Sequence, residues 1–476
     1  MTELVNKDDE LLMNLGYNPE LRRNFSPIQV FGIAFSIMSL VPSIASVLAD
    51  TLQAGGVGMT WVWFCYADLW RAVLVDLQVC TEKIRKPACF FTGYANTLGL
   101  VGGFCSINYG FAQMVMSVPA IATDAKFVPT KYMWYGIYVG AVVLQALTAM
   151  TSNRFLSQLQ TSCIVLNMIL VVLICIALPV GDSKQDRGLN SGSFVFGDTT
   201  NLYDWQYGWS FLLSWMSAIW TIGAFDSWIH MSEEASNAAT AVPLGICMSI
   251  GKCAVLGFVV QAVLAACVKP DLISTVETPV GQPMAQLIMD SLNKEWAIAM
   301  MVLMLIVQFL MGLSILVCAS RQTWAFSRDG ALPFSNWVRK INLKDGVPHN
   351  AIIFDGIISL ALGCLTLINN TAALSLFSLY VSSNGLAWLM PILMRVITFR
   401  KGDFVPGPFY LGHTLSRING ILAATYLVFL VFVLTQMPTS RHVTASTMNY
   451  TCVINPAVWI GCLIYYFTRL KVVRGT

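Results

Sequence analysis

Apolar runs of about 20 residues, the length that crosses a hydrocarbon core of ~30 Å, recur along nearly all of this 476-residue chain. That feature leaves little choice of fold. Lipid offers no partner to a bare N–H or C=O, so a spanning segment must satisfy its backbone internally, as an α-helix or as a strand of a closed barrel. Runs this long are helices, because a spanning strand needs only about 10 residues. Composition agrees: 11% of the residues are charged, against roughly 25% in soluble domains. The chain reads as an all-α polytopic membrane protein. Its net charge of +3 is too slight to suggest a nucleic-acid partner, so the lipid bilayer is the expected surroundings. Most of the 13 cysteines, among them Cys163, Cys253 and Cys318, lie inside apolar runs without CxxC spacing, and the four histidines are scattered. Neither a metal site nor a cofactor is expected.

Spans are read at 27–52, from 59 onward, then at 90–118, 132–150 and 161–180, from 209 within the stretch 209–243, and at 244–268, 296–320, 351–368, 373–397, 418–434 and 450–467, about 12 in all. Cytosolic segments should hold the Lys/Arg excess. Placing Arg22, Arg23, Lys83, Arg85, Lys86, Arg321, Arg328, Arg339, Lys340, Arg395, Arg400 and Lys401 on one side puts both termini in the cytosol. The expected organisation is a cytosolic tail over 1–26, a transmembrane domain over 27–467 and a cytosolic tail over 468–476, in the plasma membrane or an endomembrane such as vacuole or Golgi.

The sixth run carries the sharpest signal, WSFLLSWMSAIWTIGAFDSWIHMSEEASNAATAVP over 209–243. Gly223, Ala224, Phe225 and Asp226 fall where the bilayer midplane should lie. A central Asp costs roughly 2.5–3.5 kcal/mol on insertion scales, so it must face a bundle interior or a cavity. Glycine there lets the helix break, and broken backbone survives at that depth only where protein or a cavity satisfies it. The first run has its own interruption at Pro42, Ser43, Ile44, Ala45 and Ser46. Paired discontinuous helices mark substrate sites in secondary transporters. Asp226 reads as a fixed anion for a cationic group, or as the ion-pair partner of Lys252 on the seventh run. Ser43, Ala45 and Ser46 would offer half-helix amides to a carboxylate, or merely pack. Glu233 and Glu234 read as a solvated helix end or an inner gate. Asn96, Tyr109, Gln308 and Ser314 could line a cavity or serve as interhelical glue. Arg321 and Arg328 read as cytosolic anchors beyond the eighth span.

Several long strings then carry a resemblance. FDSWIHMSEEASNAATAVP (225–243), ASRQTWAFSRDGALPFSNW (319–337), VPHNA (347–351), TMNYTCVINPAVW (447–459) and the opening LGYNPELRRNFSPIQVFGIAFSIMSLVPSIAS (15–46) resemble the fungal amino acid/choline branch of the amino acid–polyamine–organocation transporters, above all its GABA and polyamine permeases. The resemblance implies a LeuT-like fold: five helices and an inverted repeat of five, plus two C-terminal helices, with the first and sixth unwound around the substrate. It implies that Pro42 to Ser46 receive a substrate carboxylate and Phe225 and Asp226 its other end. The partner would be a small nitrogenous solute (amino acid, GABA, polyamine or choline-like), with a proton as coupling ion. No enzyme activity is expected, and no GxxxxGK[ST] nucleotide motif appears.

One stretch departs from the family. A motif like PTSGGLYWW should follow the second span, yet the chain reads CYADLWRAVLVDLQVCTE over 65–82, with Asp68, Arg71 and Asp76. Codons exist for 68–81 that, read one nucleotide later, give ICGGLYWWTYKYA. The expectation is therefore an aberrant second helix, from a frame-shifted or mis-spliced message, and with it a non-transporting product. A nutrient-sensing receptor is the other alternative, though the tails offer little signalling surface.

Overall fold

The computed structural model describes residues 27–63, 82–151, 153–185, 188–234, 238–342, 346–397, 412–445 and 447–470, together with Met13 and Tyr410. Among the described residues all regular structure is helical. Among the described residues ten helices are long and apolar enough to span a membrane. The aberrant stretch over 64–81, including Asp68, Arg71 and Asp76, lies outside the described residues.

The first span is two helices, α1 (Pro27–Met38) and α2 (Leu40–Leu52), followed by a short α3 (Gly55–Thr60). Next come α4 (Glu82–Ala122), α5 (Lys131–Ala149) and α6 (Asn153–Ser183). The connection to the sixth run contains the short helix α7 (Gly192–Gly197) and is laid onto the end of the first span. There Val57 N–H donates to the Asp198 carbonyl at 3.0 Å and Leu202 N–H to the Gln53 carbonyl at 2.9 Å. Gly55, at φ +69°, is what lets the chain turn there, in a region that disfavours side chains.

The sixth run is α8 (Tyr207–Ile222), a 3-10 turn over Gly223–Asp226 and the one-turn α9 (Ser227–His230). After it come α10 (Ala238–Cys267), the short α11 (Leu272–Val276) and α12 (Pro283–Ser291), and the long α13 (Lys294–Arg328). The rest are α14 (Ser335–Val338), α15 (His349–Gly363), α16 (Asn370–Ile397), α17 (His413–Phe432) and α18 (Thr451–Tyr465).

The centre of the bundle is α4 packed along α13 and α16. Apolar side chains gain nothing by leaving lipid for protein, so such contacts depend on small residues that let helices approach closely. The glycines of α4 do this: a Cβ at Gly103 would lie 2.6 Å from Ile315 and Tyr380, and one at Gly110 2.7 Å from Ser46 Oγ. Gly99 likewise sits directly against Asn384.

Several spans run past their expected ends, among them the fifth, which begins at Asn153 rather than at 161. The third begins at Glu82 rather than at 90, and the eighth continues to Arg328 rather than stopping near 320. Charges ended the apolar reading there. A helix continues through a charge that finds a partner, as Arg321 and Arg328 do.

Candidate functional site

The first span breaks at Ser39, three residues before Pro42. Ser39 takes a left-handed conformation (φ 30°, ψ 67°) that costs a non-glycine residue about 1–3 kcal/mol. Its side chain offsets this: Oγ donates to the Ser36 carbonyl at 2.5 Å and accepts from Asn167 Nδ2 at 3.1 Å. Pro42 is the third residue of α2, where proline is tolerated because a first-turn N–H has no intrahelical acceptor. A second interruption follows at Val47 (φ −125°, ψ 15°), so residues 42–46 lie between the two interruptions. Ser43 N–H is spent on the Ser39 carbonyl at 2.9 Å, and Ile44, Ala45 and Ser46 lie within the helix. The amides without an intrahelical acceptor belong instead to Leu40 and Val41. Ser43 Oγ donates to the Met38 carbonyl and Ser46 Oγ to the Pro42 carbonyl, so both hydroxyls serve the backbone.

The second break lies beside the first: the 3-10 turn over Gly223–Asp226 packs on α1, and α8 packs on α2. Gly223 sits under Tyr380, whose hydroxyl would be 3.0 Å from an added Cβ. The backbone of Ala224 completes the turn. Phe225 is fully buried with its ring 4.6 Å from that of Trp388. Asp226 is 2% exposed. Its Oδ2 accepts from Asn96 Nδ2 and Trp388 Nε1, each at 3.1 Å, and lies 3.6 Å from His230 Nε2.

Lys252, the alternative ion-pair partner, is an exposed residue of α10 and is not among the contacts of Asp226. The partners come instead from α4, α9 and α16. Asn96 Nδ2 also reaches Asn384 Oδ1 at 3.4 Å, which ties α4 to α16 at the level of the carboxylate.

This cluster is incompletely satisfied. Asp226 Oδ1, Asn96 Oδ1, Ser227 Oγ and Asn384 Nδ2 are buried without a hydrogen-bond partner among the described residues, and His230 Nε2 has only its long approach to Asp226. Buried polar atoms are nearly always paired, and each exception asks for an explanation. A carboxylate oxygen and an amide oxygen left free beside one another suit a donor such as an ammonium group or a proton.

Beyond α9 the chain is latched to α13. Glu234, 1% exposed, accepts from Arg321 Nε at 2.9 Å, and Arg321 is 2% exposed. One step outward Glu233 takes Arg328 in a two-pronged contact at 3.0 and 3.4 Å, and the guanidinium lies 4.7 Å from the Trp324 ring. Glu234 is thus a buried ion-pair member rather than a solvated end, and Arg321 is its counterion rather than an anchor. Trp228, also on α9, donates to Ser249 Oγ at 3.3 Å and is accommodated by Gly245.

The remaining candidates fall elsewhere. Gln308 Nε2 donates to the Ile107 carbonyl at 3.0 Å and to Ser46 Oγ at 3.4 Å, holding α13 to α4 and α2. Ser314 Oγ donates to Gln160 Oε1 at 2.7 Å and faces α6. Both act as glue between helices. Tyr109 is buried with its ring edge-on to Trp134 and Phe377, above the Asp226 cluster.

Sequence reasoning missed His230, Tyr380, Asn384 and Trp388. His230 was findable as the residue one helical turn after Asp226. The α16 residues carried no signal, because hydroxyl, amide and indole groups are common in spanning helices.

The amino acid permease family model matches residues 25–458. The GABA-specific permease of Saccharomyces cerevisiae is 42% identical over 479 residues, covering 96% of this chain and 84% of the relative. An uncharacterised amino-acid permease of Schizosaccharomyces pombe is 32% identical, covering 97% and 86%. A putative polyamine transporter of Candida albicans is 28% identical, covering 95% and 85%. A family model spanning nearly the whole described bundle and a relative this similar end to end lead to one conclusion: the chain belongs to the amino acid permease family and is a membrane permease, not an enzyme.

Proposed function

We propose that this permease carries a small solute with a primary ammonium group, namely an amino acid, GABA or a polyamine, and that Asp226 receives that group. The observation that carries the reading is the free Oδ1 of a carboxylate 2% exposed at a helix break. The relatives named for GABA and for polyamines support it. A primary ammonium has N–H groups to give to Asp226 and Asn96, whereas a quaternary, choline-like head has none, so choline is the weaker substrate in this reading. The amides of Leu40 and Val41, at the positive end of a half-helix, are the place for a carboxylate on the same solute.

Coupling to protons is supported by the same residues, since Asp226 and His230 lie 3.6 Å apart at the site. The Lys/Arg distribution supports cytosolic termini, which puts the Glu233–Arg328 latch on the cytosolic side, in a plasma or internal membrane.

The test is uptake of radiolabelled GABA, amino acids, polyamines and choline in a permease-deficient fungal strain, across a pH gradient and with or without sodium. Two chains are compared at equal membrane abundance: the sequence as it stands, and a version carrying GGLYWW in place of the aberrant stretch. Uptake of ammonium solutes that rises with the inward proton gradient is expected. No uptake of any of them by either chain defeats the functional reading, and uptake indifferent to pH and sodium defeats coupling. Transport by the GGLYWW version alone supports the frame-shift reading, and equal transport by both removes it.

A further inference from the structure

At the end of the bundle opposite the Glu233–Arg328 latch, α2, α8, the start of α16 and the residues Leu434, Met437, Thr439, Thr447 and Asn449 enclose an open cavity of about 140 Å³. A space of that size holds several water molecules, and so the ammonium end of a small solute. Trp220 and Phe377, their rings 5.0 Å apart, belong to its wall nearest the Asp226 cluster. Trp220 Nε1 is held by Ser106 Oγ at 3.1 Å. Asp50 is the one charged residue among the described residues lining the cavity.

Asp50 is placed against local preference. It stands in the last turn of α2, where the helix dipole is already negative and no basic residue compensates. Tyr203 donates to the Asp50 backbone carbonyl at 3.5 Å, and among the described residues no donor reaches the carboxylate. A half-buried anion at the wrong end of a helix, unpaired on the wall of an open cavity, lowers stability unless a cation visits it. Low-dielectric walls also focus its field into the cavity, and the neighbouring faces of Trp220, Phe377 and Tyr203 are surfaces that favour a cation.

We propose that this vestibule is a first binding site for the ammonium end of the solute, with Asp50 its anion, separated from Asp226 by the Trp220–Phe377 wall. The inference rests on the functional reading above, in that both carboxylates serve the same class of ligand. Asp50 then sets capture, and Asp226 sets occupancy of the central site.

The first experiment needs no transport. A Thr439→Cys substitution on the exposed cavity rim is labelled with a cationic and with an anionic methanethiosulfonate of similar size, in the full chain as it stands. The unsubstituted chain corrects for all native cysteines, which among the described residues include the exposed Cys89, Cys247, Cys364 and Cys452. The cationic reagent should react faster by about tenfold, a focused-field effect. That preference should vanish with Asp50→Asn and persist with Asp50→Glu, which guards against a folding defect. An equal ratio with and without the charge overturns the proposal.

The second experiment is uptake by whichever version transports. Asp50→Asn should raise KM about tenfold while kcat stays within about twofold. Loss of kcat at unchanged KM would make Asp50 part of the translocation machinery and overturn the capture role. Absence of uptake in the parent chain would count against the functional reading alone, since the labelling ratio decides the vestibule by itself.

Discussion

The two helix breaks face each other across the same small volume, yet they are built from opposite materials. At Ser39 the interruption is neutral and closed: a strained residue whose hydroxyl is bonded on both sides, to its own helix and to Asn167. At Gly223–Asp226 it is charged and open-handed, with polar atoms of Asp226, Asn96 and Ser227 left without partners and ion pairs fastening the chain just beyond. A break needs satisfied backbone to survive in lipid, and Ser39 shows how that is done with a side chain and no ligand. The unsatisfied atoms at Asp226 are therefore not a by-product of breaking a helix. They are what a ligand is expected to complete.

Four substitutions probe this contrast, in order of expected effect. Glu234→Gln leaves the buried Arg321 guanidinium without its counter-charge and should cost about 3–5 kcal/mol of stability. Thermal unfolding in detergent reads the loss, and adding Arg321→Met should recover most of it. A double variant no more stable than the single would show that the pair is not what fastens α9 to α13.

Asp226→Asn preserves volume and removes the charge. Uptake at matched membrane abundance should fall about 100-fold, corresponding to the ~3 kcal/mol of one hydrogen bond to a charged group, with unfolding temperature held or raised. Normal uptake by this variant would make the second break as structural as the first.

Ser39→Ala removes the acceptor for Asn167 and keeps the left-handed backbone, and should destabilise by about 1–2 kcal/mol. KM should change little. If KM rose as far as in the Asp226 variant, the two breaks would be functionally alike and the comparison would fail.

Gly223→Ala places a methyl 3.0 Å from the Tyr380 hydroxyl. Because the contact is with the tip of a side chain, a rise in KM of about threefold, under 1 kcal/mol, is expected. A complete loss of uptake would mean that Tyr380 cannot yield and that the turn itself is the binding surface.

Much of this was legible in the chain before any coordinates. Run length and charge fixed helices across a membrane, because lipid leaves the backbone no other solution. The cost of a buried carboxylate pointed to Asp226. The break in the first span was legible only approximately: proline advertises an interruption, but Pro42 is tolerated in the first turn of α2, and the left-handed residue is Ser39, which nothing local distinguishes from other buried serines.

What the tertiary structure alone decided is pairing. Lys252 and Arg321 are both cations at the ends of plausible reach from acidic residues of the sixth run, and sequence separation cannot rank them. Helix rotation does: Lys252 is exposed on α10, while Arg321 on α13 turns inward to Glu234. The donors to Asp226 come from residues 130 positions before it and 162 after it, and the anion in the vestibule is conspicuous only once α2, α8 and α16 enclose a cavity around it. Composition and spacing are properties of one segment and survive in the sequence. Which buried charge is satisfied, and by whom, depends on the rotation and depth of several helices at once, and no single segment records that.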